Sequence, residues 1–469
     1  MVHFGTGGFR GIIGDEFTKE NIEIISKALC EKMINEGVEK EIVMGYDKRF
    51  LSKEAMQWAA QVFAAEGFRA YLINRSCPTP LVMYYVMEHR MDYGMMITAS
   101  HNPAIYNGIK VFTKGGRDAN EETTIDLEKY MAKVDENSIK TMEYDKAKEL
   151  GLIEEIYPLN DYIDAILDAV DVQAIRKAGL RVAIDPMYGV SETSLKTILM
   201  TTRCEVFTIH DRHDTLFGGK LPAPNSSTLK SLQNAVLDNG CDIGLATDGD
   251  ADRIGIIDDK GRFLHPNDIL VLLYYYLVKF KGWNGPVVRN LTTTHMLDKV
   301  ADQFGQKCYE VPVGFKWVSS KMSETDAIIG GESSGGLTVK GHIHGKDGIY
   351  AAALLVEMLA LTGKKLSQIY KEIEDEVGSI YMEERDFKFS QEKKESINKV
   401  LMEEKQIPSF DQEIEKVSYM DGCKVYFKNG GWISARFSGT EPLLRIYSEM
   451  PTPEAAIKEA EIFQSFLAV

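Results

Sequence analysis

Three successive stretches of the chain repeat one order of elements: an apolar strand, an amphipathic helix, a strand, a helix, a strand, then a loop of small and polar residues. The first predicts strands at 41–46, 68–73 and 93–98, with helices beginning near Ser52 and Pro78. The second predicts strands at 180–185, 204–210 and 241–247 and helices over 192–201 and 227–239; the third, strands at 287–291, 306–313 and 326–330 and helices over 293–304 and 315–324. Strands that alternate with helices restrict such a chain to three α/β domains with mainly parallel sheets. Ligands of open α/β sheets bind beyond the carboxyl ends of the strands. The loops after the third strand of each repeat are therefore where chemistry is expected.

From about residue 376 the pattern changes to a charged helix over 391–404, strands at 424–427 and 431–437, and a last helix over 453–467, which reads as a smaller α+β domain. At 469 residues the chain exceeds what one core organises, since domains cluster near roughly 100–200 residues. The expected division is 1–155, 156–262, 263–375 and 376–469.

A net charge of −16 opposes binding to nucleic acid or an anionic membrane, so an anionic substrate must be drawn by a local cluster of Arg and Lys. The longest apolar run, 269–278, is half of the ~20 residues needed to span a bilayer, and the first residues lack a signal-peptide hydrophobic region. A cytoplasmic chain, a monomer or small homo-oligomer, is expected. Six cysteines, Cys30, Cys77, Cys204, Cys241, Cys308 and Cys423, lie far apart with no C-x-x-C pair. They suggest neither zinc nor disulfides and read mostly as buried thiols in strands.

The first of the three loops, Thr98-Ala99-Ser100-His101-Asn102-Pro103, sets a serine hydroxyl beside an imidazole. Two readings stand open: a serine that carries a phosphoryl group, and a turn in which Ser100 and Asn102 bond their own backbone. The second loop holds Asp248, Asp250 and Asp252, three carboxylates that would repel one another without a hard cation, magnesium being the first choice. Arg253 stands where an EF-hand needs Gly, and a solvated acidic turn is the plainer alternative. The third, Gly331-Glu332-Ser333-Ser334-Gly335-Gly336, offers Glu332 and Ser334 to sugar hydroxyls, or is a polar turn. Beyond the repeats, Arg436-Phe437-Ser438-Gly439-Thr440-Glu441-Pro442 with Arg445 suits a phosphate, or is a glycine turn with exposed arginines. Phe4-Gly5-Thr6-Gly7-Gly8-Phe9-Arg10-Gly11 is glycine-rich, but it lacks the P-loop ending and no strand is predicted before it. Lys110 and Lys346 are otherwise ordinary surface lysines of positional interest.

Taken in chain order, these segments resemble the α-D-phosphohexomutase superfamily over essentially the whole chain. The resemblance implies four domains around a central cleft. It makes Ser100 the phosphorylated serine with His101 its neighbour, and Asp248, Asp250 and Asp252 magnesium ligands with a phosphoserine oxygen completing the site. Arg10 and Lys110 would steady the transferring phosphoryl group. Glu332 and Ser334 would bind sugar hydroxyls, with Arg253 and Lys316 as further substrate contacts, and Arg436, Ser438, Gly439, Thr440 and Arg445 would hold the phosphate that is not reacting. The implied reaction interconverts hexose 1-phosphate and hexose 6-phosphate through a hexose 1,6-bisphosphate, which also acts as primer. A metal-dependent phosphatase or phosphotransferase and a non-catalytic sugar-phosphate binder are the rivals.

Many bacterial members of that superfamily that take mannose or glucosamine phosphates have histidine where this chain has Gly336. The stretch His342-Ile343-His344-Gly345-Lys346-Asp347-Gly348 instead looks like phosphoglucomutases, in which a lysine is a candidate acid/base. Lys346 inherits that role, with His342 and Lys110 behind it. Phe217-Gly218-Gly219-Lys220-Leu221-Pro222 is also similar to phosphoglucomutase-like members. These details tilt the expected substrate toward glucose phosphate, with mannose second.

Overall fold

The structure is a computed structural model, and it describes residues 4–5, 8–437 and 443–469. They form two compact units, Met1–Ile269 with Ser334–Ile369, and Leu270–Ser333 with Tyr370–Val469. Among the described residues no helix is long and apolar enough to cross a membrane. The apolar run 269–278 lies inside the helix Pro266–Lys279.

In the first unit, the strands Glu41–Tyr46, Arg69–Ile73 and Tyr93–Ile97 pair in parallel, as the repeat requires. Their sheet is eight-stranded because the chain then turns back: Tyr106–Thr113 pairs antiparallel with Tyr93–Ile97, and Gly8–Ile12 pairs antiparallel with Tyr106–Thr113. The glycine-rich amino-terminal segment is thus itself a pair of short strands, Phe4–Gly5 and Gly8–Ile12. Its glycines hide the alternation by which a strand is read. The second repeat gives parallel strands Glu205–Thr208, Arg181–Asp185 and Ile243–Thr247, extended antiparallel by Ile254–Ile257.

In the second unit, Cys308–Val311, Val287–Asn290 and Ile329–Gly331 pair in parallel. The carboxy-terminal domain is a five-stranded antiparallel sheet backed by the helix Pro453–Leu467. Three α/β domains and an α+β domain are therefore present. Lys424 ties this last sheet to the third repeat: its ammonium reaches the Leu291 carbonyl and the Glu310 carboxylate at 2.5 and 2.7 Å and lies over the Trp432 ring. Burial, with the nearby Arg289 charge, lowers its pKa to about 7.

The three repeats share a detail finer than their element order. Each first strand ends on, or is followed directly by, a buried Asp or Asn whose side-chain oxygen accepts the amide two residues on: Asp47 from Arg49, Asp185 from Met187, Asn290 from Thr292, at 2.9, 2.8 and 3.1 Å. Such Asx turns swing the chain sharply off the strand end.

Two expectations need correction. Cys30 lies on the helix Lys19–Glu36, Cys77 in a loop, and Cys308 is only half-buried, so the thiols are not a set of strand residues. The charged helix is α-helical only over Gln391–Asn398 and continues as a π-helix over Lys399–Glu403, whose wider turn one-dimensional periodicity does not reveal.

The strand Tyr106–Thr113 is confined between two neighbours at Gly108, where a Cβ would lie 2.1 Å from the Phe9 carbonyl oxygen and 2.9 Å from that of Thr98. Gly108→Ala is therefore expected to destabilise the chain by about 1–3 kcal/mol in urea unfolding. An unchanged midpoint would mean that the strands separate without penalty.

Candidate active site

Ser100 sits just past the end of Tyr93–Ile97 with φ of +50°, a left-handed conformation uncommon for a residue with a side chain. Arg49 holds it there. Its guanidinium donates to the carbonyls of Ser100, Asn102, Pro103 and Tyr106 at 2.6 to 2.9 Å, and its Nε faces Asp47 at 3.2 Å. Asp47 in turn accepts from the hydroxyls of Thr98 and Ser52. The Thr98 hydroxyl takes the Ser100 amide. The Ser100 side chain does not bond its own turn: Oγ donates to Asp248 Oδ2 at 2.7 Å and lies 3.4 Å from His101 Nδ1.

That contact brings the second repeat's loop against the first. A Cβ on Gly249 would meet the Ser100 carbonyl oxygen at 2.7 Å, so only glycine permits the approach. All three aspartates are fully buried, which rules out a solvated acidic turn, and each offers an oxygen within 4.8 Å of the others'. Asp248 Oδ1 accepts the amides of Asp252 and Arg253. Asp250 Oδ2 accepts from Thr79 and Lys110 at 2.6 and 2.7 Å, and Asp252 Oδ2 faces Lys110 and Lys346 at 2.7 and 2.9 Å. The remaining oxygens, Oδ1 of Asp250 and of Asp252, are buried with no hydrogen-bond partner. Buried carboxylate oxygens left unpartnered beside an occupied set fit a hard divalent cation.

Electrostatics agree with the geometry. Burial, with the Asp250 and Asp252 carboxylates, pushes Asp248 well above the usual carboxylate range. Burial also works against Asp252, yet Lys110, Lys346 and Arg253 hold it below that range. The Arg253 charge, burial and the Arg10 charge keep His101 well below its ordinary value, hence neutral. Lys110 is not a surface lysine: it is 4% exposed, one strand over from Arg10. Lys346 is 14% exposed, and its stem crosses Gly336, where a Cβ would meet Cδ at 2.3 Å. His342, the second base candidate, bonds Asp347 at 2.7 Å, and Asp347 caps the helix Gly348–Thr362.

Ser334 belongs to this unit and is exposed. The other site residues lie in the second unit. Glu332, 9% exposed, accepts from the Asn290 side chain and the Gly314 amide at 3.2 and 3.0 Å, and the Lys316 ammonium lies over the Trp317 ring. Arg436 and Arg445 stand directly opposite on adjacent antiparallel strands. Like charges so placed repel; Asp421 faces Arg436 at 2.9 Å and Asp386 faces Arg445 at 3.5 Å. Ser438, Gly439 and Thr440 lie outside the described residues.

Sequence reading overlooked Asp47, Arg49, Thr79 and Asp118, a half-buried carboxyl whose pKa desolvation raises, against the charges of Lys346 and Lys110. The Asp or Asn at the end of each first strand was the available signal for Asp47. Thr79, at the start of a helix, had none.

Phosphoryl transfer asks a protein for alignment and charge stabilisation more than for a specialised reactive group, and the first unit concentrates both. The chain matches phosphoglucomutase/phosphomannomutase α/β/α domains I, II and III over residues 1–138, 160–261 and 265–377, and the C-terminal domain over 397–463. It is 32% identical over 470 residues to a phosphoglucomutase/phosphomannomutase of Thermococcus kodakarensis, covering 98% of this chain and 97% of that protein. It is 28% identical over 447 residues to a phosphoglucosamine/phosphogalactosamine mutase of Sulfurisphaera tokodaii, with 95% and 94% covered. A Thermus thermophilus crystal structure described as a phosphomannomutase superposes with a TM-score of 0.86 at 27% identity, covering 100% of this chain and 99% of that one. This chain belongs to the phosphoglucomutase/phosphomannomutase family, within the α-D-phosphohexomutase superfamily, and is an enzyme of intramolecular phosphoryl transfer.

Removing Arg49 leaves Asp47 buried and unpaired and frees four carbonyls of the serine loop. Arg49→Ala is expected to lower stability by about 3–5 kcal/mol. Denaturant unfolding measures this, and a loss under about 1 kcal/mol would mean the loop holds itself.

Proposed function

We propose that the chain interconverts hexose 1-phosphate and hexose 6-phosphate, glucose being the favoured sugar and mannose the second, through phosphorylated Ser100. The observation that carries this reading is the 2.7 Å bond from the Ser100 hydroxyl to Asp248, beside two carboxylate oxygens without partners. Ser100 gives its phosphoryl group to the free hydroxyl of a hexose 1-phosphate, forming the 1,6-bisphosphate. The intermediate turns over and returns its other phosphate to Ser100, leaving hexose 6-phosphate. Asp248, Asp250 and Asp252 would hold magnesium, which when bound would offset the charge of a phosphoserine, roughly −1.5 to −2 at neutral pH.

The chain's own residues do the rest. Arg10 and Lys110 steady the transferring group, Arg253 contacts the substrate, and His101, kept neutral, stays within reach of the Ser100 oxygen. Lys346 takes the proton of the attacking hydroxyl. It can do so only as the neutral amine; its Nζ faces Asp252, as that of Lys110 also does, while His342 is engaged with Asp347. Glu332, Ser334 and Lys316 contact the sugar, and Arg436, Ser438, Gly439, Thr440 and Arg445 hold the distal phosphate. The facing arginines support that last role, because an anion between them relieves their repulsion. Relatives that carry glucose, mannose and glucosamine names leave the sugar to be read from this chain: Gly336, Lys346 and the 217–222 segment favour glucose.

The test is a panel of glucose, mannose and glucosamine 1-phosphates with magnesium and the corresponding 1,6-bisphosphate as primer. Isomerisation fastest with glucose, and a phosphate-sized mass gain absent from Ser100→Ala, are expected. Phosphate release without isomerisation would overturn the mutase reading.

Lys346→Ala is expected to lower turnover by ~10²-fold or more while Ser100 still takes up phosphate by intact mass. Turnover at the wild-type level would move the proton to another group.

A further inference from the structure

Asp421 has no place in the reaction as described, yet it joins two of its parts. It lies in the turn before the strand Cys423–Phe427, in the second unit. The next residue, Gly422, has φ of +84°, and a Cβ there would meet the Ala435 carbonyl oxygen at 2.6 Å and the Arg436 Cα at 3.1 Å. The turn is thereby pressed against the base of Arg436. One oxygen, Asp421 Oδ2, accepts from Arg436 Nε at 2.9 Å and from the Val313 amide at 3.0 Å.

The adjoining amide, Gly314, is taken by Glu332 at 3.0 Å. Gly314 precedes the helix Phe315–Thr325, whose first turn carries Lys316. Two carboxylates thus hold two consecutive amides at the start of one helix, where unpaired N–H groups favour negative charge. One of these carboxylates belongs to the sugar loop. The other grips the guanidinium opposite Arg445.

We propose that Asp421 is a positioning residue for substrate phosphate: it fixes Arg436 by its Nε, leaving the outer end of the fork for the anion, and registers it against the Val313 amide, next to the Gly314 amide that seats Glu332. This rests on the reading of Arg436 as a phosphate contact. Phosphate then binds a fork already aimed, and the lysine-bearing helix start and the sugar loop are held in the same register.

The experiment measures kcat and KM for glucose 1-phosphate in the wild type, Asp421→Ala, Asp421→Asn, Asp421→Glu, Arg436→Ala and the double variant Arg436→Ala with Asp421→Ala. Loss of a hydrogen-bonded charge at Asp421 is expected to raise KM on the order of tenfold while kcat stays within about threefold. Asp421→Glu should recover part of the loss, and the double variant should be little worse than Arg436→Ala alone. Inorganic phosphate should weaken as a competitive inhibitor in parallel. If Asp421→Ala does not fold, the near-isosteric Asp421→Asn decides. Wild-type KM in the Asp421 variants beside a raised KM in Arg436→Ala would overturn the inference and leave the proposed function standing. So would additive losses in the double variant. Wild-type KM in Arg436→Ala would instead remove the phosphate role of that arginine.

Discussion

The loop 248–252 buries three carboxylates completely, and the first unit is arranged around the problem this creates. Unpaired buried charge costs several kcal/mol per ion, so each aspartate must find a cation or a proton. Lys110 comes from the first repeat's return strand, Lys346 from the segment before the helix Gly348–Thr362, and Arg253 from the loop itself. Together the lysines satisfy one oxygen each of Asp250 and Asp252 and leave the other oxygen of each without a partner. A fully satisfied cluster would be a structural salt bridge. This one keeps two open carboxylate oxygens, which is compatible with a further cation.

The approach of Ser100 to that loop rests on how the backbone is held as well as on the Ser100–Asp248 hydrogen bond. Asp47 turns the chain off its strand, Arg49 gathers four carbonyls of the serine loop, and Gly249 lets the two loops touch. The Asx turn recurs at Asp185 and Asn290, so the repeat carries a bend at each strand end as well as an element order. In the third repeat the bend places Asn290 on Glu332. A device that shapes a scaffold in one repeat thus orients a proposed sugar contact in another.

Much of this was legible in the sequence because parallel strands buried on both faces read as continuous apolar runs, and the strand 41–46 and the helices 192–201 and 453–467 fall where their pattern places them. Strands that depart from that pattern were not legible. Gly8–Ile12 is rich in glycine, and Tyr106–Thr113 begins within the polar tail of a loop. The three aspartates were visible as a triplet, whereas the burial of Lys110 was not, since a lysine has no local signal for what it will face. Arg49 and Asp421 were beyond reach for a related reason: their importance lies in carbonyls and amides that every residue possesses, brought near only by the fold.

Gly336 and Lys346 show how a local absence can carry a chemical choice. A Cβ at 336 would lie 2.3 Å from Lys346 Cδ and 3.0 Å from its Cγ, so any side chain there contends with the middle of the lysine stem, which cannot swing aside while its ammonium faces Asp252 at 2.9 Å. A histidine here, which the resemblance ascribes to other superfamily members, would need the volume that the lysine stem occupies in this chain. An imidazole at 336 and a lysine reaching across from 346 therefore compete for the same space. On the proposed reading, the missing side chain at Gly336 is part of how this chain places its base.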